Sequence, residues 1–259
     1  MTTLANVTLA VARLCAEVAD GAATGGSATT VVDTGITHPN DYWNNGTIWL
    51  RSGNNIGKSA VITDYASASW TWTFATLTLL CAAGDLYSVC SAAYPRSSLI
   101  GAINQALLEM GKVTTKNTAG LVGLADTWQY TLPAGVSNLT RVVVGVSPNY
   151  AINYWWEEIG GTLRFANGYQ PQLADEIILH YAGAHAVLAL DADVVNAMIP
   201  IEQLEWLGAL YAMRARFNLV GQNDTRLQAK INEATTRCEM LKTQFLPRFG
   251  PKDPRLTAL

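Results

Sequence analysis

The side chains able to do chemistry are few and scattered. The chain has three histidines, His38, His180 and His185, and four cysteines, Cys15, Cys81, Cys90 and Cys238. No two cysteines form a C-x-x-C pair, which removes the usual spacing of a zinc knuckle or a thiol-redox motif. Free buried thiols are the expectation. His180 and His185 do not form an H-E-x-x-H helix, and no G-x-S-x-G elbow presents a serine nucleophile. The expected catalytic, cofactor and metal residues are therefore none, and the chain does not read as an enzyme.

Three further patterns invite a chemical reading. Gly53-Asn54-Asn55-Ile56-Gly57-Lys58-Ser59 is one residue short of a phosphate-binding loop. Such a loop needs a helix behind it, so that backbone N–H groups face the phosphates. The segment that follows, Ala60–Tyr65, is strand-like, so a glycine-rich hairpin turn is expected. The carboxylates Glu157/Glu158 and Asp175/Glu176 are adjacent, and on a strand adjacent side chains point to opposite faces. Asp191 and Asp193 lack the spacing of a calcium loop, which leaves a turn or helix-capping role.

Eight tryptophans are many for 259 residues. Trp70, Trp72 and Phe74 alternate with Thr71 and Thr73, which predicts a strand with an aromatic face. Exposed aromatics on a sheet stack on sugars. More commonly they fill cores or subunit interfaces. Trp70, Trp72, Trp155, Trp156 and Trp206 are the candidate subunit-interface residues.

Helical periodicity appears in four places. Leu4, Val7, Val11, Leu14, Cys15 and Val18 make the first stripe, and Leu99, Ile103, Ala106, Leu107 and Met110 the second. Two adjacent stripes, Leu204/Leu207/Tyr211 and Trp206/Leu210/Met213/Phe217, predict a helix buried on more than one side. Leu227, Ile231, Ala234, Cys238, Leu241 and Phe245 form a narrow seam for one partner helix. Between the first and second helices the period changes to two. Thr29–Asp33, Thr47–Arg51, Ser59–Tyr65, Trp70–Thr76 and Asp85–Cys90 read as strands. Thr127–Leu132, Asn138–Val146, Tyr154–Ile159, Thr162–Ala166 and Glu176–Tyr181 read likewise.

The expected fold class is α+β: a helical bundle of N-terminal, central and two C-terminal helices, carrying two antiparallel β insertions, the first a small barrel or sandwich. The expected domains are a helical core of residues 1–22, 93–113 and 200–247, a β module of 24–92, a second β module of 114–190 and an extended C-terminal tail of 248–259.

Composition bounds the function. Hydrophobic residues make up 49% and charged residues 14%, against about 25% charged in average domains. Disorder is excluded, and the low charge hints at assembly. The net charge of −3 gives no global drive toward nucleic acid or anionic membrane. It is unevenly spread: residues 1–199 carry 8 basic and 14 acidic side chains, and residues 200–259 carry 9 and 6. Arg13 and Glu17 interrupt the first apolar stretch, so no export signal is expected, and no window is apolar enough to span a membrane.

Several segments resemble a β module of structural proteins from tailed bacteriophages: Thr29–Thr34, Asn40-Asp41-Tyr42-Trp43, Gly46–Leu50 and Gly57–Tyr65. Pro95–Ile100 and Ala102–Leu107 resemble the helix that follows it there. Asp175–Tyr181, Leu190–Asp193 and Glu205-Trp206-Leu207 also fit. The family is the phage head-to-tail connector, or adaptor, of the virion neck. The resemblance implies a structural virion protein, made in the host cytoplasm, that forms a ring of about twelve subunits below the portal. It would join capsid to tail and continue the DNA channel. The implied partners are further copies of the chain, the portal protein, tail or neck completion proteins, and genomic DNA passing without sequence-specific binding. The candidate portal-docking residues are Arg248, Lys252 and Arg255. The alternative is a tail-tip or receptor- or carbohydrate-binding virion protein that uses the Trp-rich β module.

Overall fold

The computed structural model describes residues 2–16, 18–153, 155–166, 171–220 and 224–244. Its helices are α1 (Leu4–Cys15), α2 (Arg96–Met110), α3 (Ile201–Val220) and α4 (Thr225–Gln244). The first seven strands are β1 (Val18–Ala22), β2 (Gly25–Gly26), β3 (Thr30–Val32), β4 (Thr47–Leu50), β5 (Lys58–Ala66), β6 (Thr71–Phe74) and β7 (Leu86–Cys90). The next seven are β8 (Lys112–Val122), β9 (Gln129–Thr131), β10 (Leu139–Val146), β11 (Asn149–Asn153), β12 (Trp156–Ile159), β13 (Thr162–Phe165) and β14 (Glu176–Ala184).

The architecture corrects the expected fold class. The described chain is mostly β, with fourteen strands in antiparallel sheets of seven, four and three. It is not a helical bundle with two β insertions. Four helices do form in the periodic segments, but the strands close cores of their own. Described residues before Met110 and after Ala186 make one compact unit, and Met110–Ala186 make the second.

In the first unit the seven strands run β1-β7-β4-β5-β6-β3-β2. The two ends of that order are consecutive in sequence. The segment 18–26 pairs with β7 through Val18–Ala22 and with β3 through Gly25-Gly26. On the opposite side β5 pairs with β4 through Lys58–Val61 and with β6 through Ile62–Ala66. Two segments thus serve both halves, and the sheet closes into a small barrel without a free edge. Alternation points Val31, Ile48, Leu50, Ile62, Tyr65, Trp72, Phe74, Tyr87 and Val89 inward, where they form one buried cluster. Tyr65, Trp72 and Tyr87 pack in succession as tilted ring pairs, with centroids 5.0 and 5.2 Å apart.

The helices pack beside the barrel. α1 buries Leu4, Val7, Val11 and Cys15, and its Thr8 hydroxyl accepts a hydrogen bond from Trp49 Nε1 at 3.1 Å. α3 packs on both α1 and α4. A Cβ placed on Gly208 would meet Val11 Cγ2 at 3.2 Å and Ile103 Cγ1 at 3.3 Å, so the helices approach as closely as they do because this residue has no side chain. α4 lays Leu227, Ile231, Ala234, Cys238 and Leu241 into the interior. Phe245 lies outside the described residues.

The second unit has a four-stranded sheet, β11-β10-β14-β8, and a three-stranded sheet, β12-β13-β9. Tyr130, Leu132, Val142, Leu163, Phe165, Ile177 and Leu179 form its core. Among the described residues no helix is long and apolar enough to cross a membrane.

Trp72 is fully buried, and its indole N–H finds no protein acceptor. Trp72→Ala is expected to cost about 3–5 kcal/mol, the range for truncating a large core aromatic. Trp72→Phe should cost much less, because it keeps most of the ring and removes an unsatisfied donor. Urea denaturation of both variants checks the order.

Candidate interaction surfaces

The scattered chemical side chains stay scattered in the fold. Gly53–Gly57 forms the turn between β4 and β5, and Lys58 and Ser59 open a strand, so no helix follows that turn as a phosphate-binding loop requires. His38 stacks on Tyr42 with centroids 4.3 Å apart and meets Trp43 edge-on. His180 lies in β14, and His185 Nδ1 pairs with the Ala186 carbonyl. All four cysteines are free and buried. Burial pushes the Cys15 thiol up to about 12 and the Cys90 thiol up to about 11, so both stay protonated and unreactive at neutral pH. Among the described residues no three His, Cys, Asp or Glu side chains gather as a metal would require.

The carboxylates work structurally. Glu157 pairs with Arg164 at 3.4 Å, and Glu158 accepts the backbone N–H groups of Asn138 and Leu139. Asp193 Oδ2 accepts from Ala189 and Leu190 N–H, which tightens its own turn and holds its carboxyl below the usual range. Asp191 accepts from Ser59 N–H at 2.6 Å, Ser59 Oγ at 2.7 Å and Arg96 Nη2 at 2.8 Å. The carbonyls of Asp191 and Asp193 also receive the N–H groups of Ala5 and Leu4, two orphan donors of the first turn of α1. Asn104 clamps the same segment through Leu188 N–H and C=O, both at 2.9 Å.

The tryptophans separate by burial. Trp43, Trp49 and Trp72 are interior residues. Trp72 therefore belongs to the barrel core, which removes it from the subunit-interface set. Trp70 does not share its face: it sits in the turn before β6 at φ 50°, half-buried. Trp156 packs partly against the core of the second unit. Trp155 is exposed, and Trp206 is half-buried on α3. Trp70, Trp72 and Trp206 belong to the first unit, and Trp155 and Trp156 to the second. Arg248, Lys252 and Arg255 lie outside the described residues.

A surface that sequence reasoning passed over lies at one end of the barrel. Asn55 is buried to 2% exposure, and its amide holds Leu79 at both N–H and C=O. Ser52 Oγ accepts from Leu86 N–H at 2.7 Å on the same side. These bonds fix two loops that leave Ile56 at 66% and Leu80 at 63% exposure, with Leu79 and Leu86 also exposed. The available signal was an isoleucine inside an Asn/Gly turn and the Leu77-Thr78-Leu79-Leu80 run outside any predicted strand. No protein-family model and no curated protein matches the chain.

Asp191→Ala leaves Arg96 and Ser59 without their acceptor in a poorly solvated place. The expected cost is about 3 kcal/mol, as for a broken buried pair. Arg96→Met in the Asp191→Ala background should recover part of it, since the stranded charge is then gone. A double-mutant cycle by chemical denaturation measures both.

Proposed function

We propose that the protein is a structural component of a tailed-bacteriophage virion: a head-to-tail connector that forms a ring of about twelve copies below the portal, joins capsid to tail and continues the DNA channel. The observation that carries this reading is the pre-ordered apolar end of the barrel. Ile56, Leu79, Leu80 and Leu86 are held out by loops that the buried Asn55 and by Ser52 already lock. Such a surface loses little conformational freedom on docking. A ring closed by rotation is heterologous, so this surface on one copy meets a different surface on the next. The basic tail with Arg248, Lys252 and Arg255 is assigned to the portal.

The reading as a carbohydrate-binding tail-tip protein has weaker support. It rests on a Trp-rich barrel face, and Trp43 and Trp72 point into the barrel while Trp49 is buried against α1.

Copy number in purified virions tests the proposal, by quantitative mass spectrometry against the major capsid protein. About a dozen copies agrees with a neck ring; about three to six places the protein at the tail tip instead. Absence from virions overturns the proposal. The double variant Ile56→Asp/Leu80→Asp should keep the thermal midpoint of the free chain and lose incorporation into particles, because exposed sites tolerate charge while docked apolar ones do not.

A further inference from the structure

One face of the four-stranded sheet carries a row of three basic side chains. Arg141 on β10 stands opposite His180 on β14, which stands opposite Lys116 on β8. Val142, Ile177 and Leu179 point into the core of the second unit. Strand alternation therefore turns Arg141, His180 and Lys116 to the other side. Arg141 and Lys116 are exposed, and His180 is half-buried. Among the described residues neither Arg141 nor Lys116 enters an ion pair. The acid on this face of β14, Glu176, lies four residues from His180 and accepts the Tyr150 hydroxyl. Lys112 adds a fourth cation further along β8, opposite Ala184.

Like charges directly opposite each other on a sheet are unfavourable. A lysine on an edge strand such as β8 has a separate use, since it discourages edge pairing. That use does not extend to Arg141, whose strand is paired on both sides by β11 and β14. Burial together with the charges of Arg141 and Lys116 holds the His180 imidazole below its usual range. The row is thus a place where an anion would relieve repulsion.

The geometry points to one kind of anion. We propose that this face contacts the phosphodiester backbone of DNA, without reading its sequence, through Arg141, His180 and Lys116. Two strand spacings separate the outer members of the row by about 10 Å. Over that axial length one DNA strand carries about three phosphates, one per roughly 3.4 Å. The row thus offers two standing cations, Arg141 and Lys116, with between them a histidine that becomes a third on protonation, across a span of about three phosphates. The positions that follow it, Ala182 opposite Thr114 and Ala184 opposite Lys112, are small or basic. A polymer backbone can lie close there, while the exposed Ile152 and Tyr150 of β11 stand beyond Arg141 on the same face. The inference does not rest on the connector reading: virion copy number can refute that reading while leaving this contact standing.

The test uses the full chain and a fluorescein-labelled duplex of arbitrary sequence, about 30 bp long, titrated at several salt concentrations from about 20 mM upward. Binding is expected at low salt. Arg141→Gln/Lys116→Gln should weaken it at least about tenfold at the lowest salt and flatten the log–log salt slope by about two. Lys58→Gln on the barrel serves as the control for loss of an exposed charge and should change nothing. Wild-type affinity should rise as pH falls below the usual histidine range, as His180 gains its proton between Arg141 and Lys116 with Glu176 as the acid on its own strand; His180→Gln should lose that rise. Circular dichroism melts confirm that each variant folds. The proposal is overturned if wild type does not bind at the lowest salt, or if the double variant binds as tightly as wild type. It is also overturned if poly-glutamate displaces the duplex at equal charge concentration, which would make the partner an acidic protein.

Discussion

Asp191 is a single carboxylate with three donors around it, and those donors come from β5 and α2. Its own carbonyl, with that of Asp193, receives the first N–H groups of α1. One short segment therefore ties a barrel strand and two helices. The chain leaves this unit at Glu109 and returns at Val187. The returning segment lies between the second unit and α3 in the chain. A partly buried charge makes its docking specific: misplaced, Asp191 and Arg96 would each lose solvation without gaining a partner.

Closure of the barrel is the second constraint. A sheet of this size would ordinarily expose two edges, each a template for unwanted pairing. Here segment 18–26 changes partners partway, and β5 does the same on the opposite side. The second unit keeps its edges. The strands β11 and β8 end one sheet, and β12 and β9 end the other. The edge strand β8 carries exposed Lys112 and Lys116, the kind of residue that blunts an edge. The same lysines lie near Arg141 and His180, so protection of an edge and attraction of an anion draw on one set of charges.

Both readings of function depend on surface the folding core does not use. Many of the aromatics are spent inside: Tyr65, Trp72 and Tyr87 fill the barrel, and Tyr130 and Phe165 meet edge-on in the second unit, while Trp128 and Trp155 stay exposed. What remains outside is apolar at one end of the barrel and basic on one sheet face. An apolar surface on pre-ordered loops suits contact with another protein. A row of basic side chains that enters no ion pair among the described residues suits a polyanion.

The sequence by itself determined much of the local structure. Helical stripes located α1 to α4, because burial on one face imposes a 3.6-residue period wherever a helix packs. Alternation located β4, β5, β6, β7, β10, β13 and β14, and the Asn/Gly and Gly-Gly turns between strands, for the same reason at period two. Tertiary structure decided the rest. Val18–Ala22 and Gly25-Gly26 are strands because β7 and β3 lie beside them, and nothing in their composition announces it. Lys112–Val122 has little alternation, and its pairing to β14 makes it a strand. The weight of the fold shifted from helices to sheets for this reason: hydrogen bonds between strands are non-local, whereas helix periodicity is written within a few residues. Asp191 and Asp193 were legible as turn or capping residues, but that Ser59 and Arg96 would meet Asp191 was not. The same holds for the cation row. Arg141, His180 and Lys116 are far apart in sequence, and only strand register places them side by side.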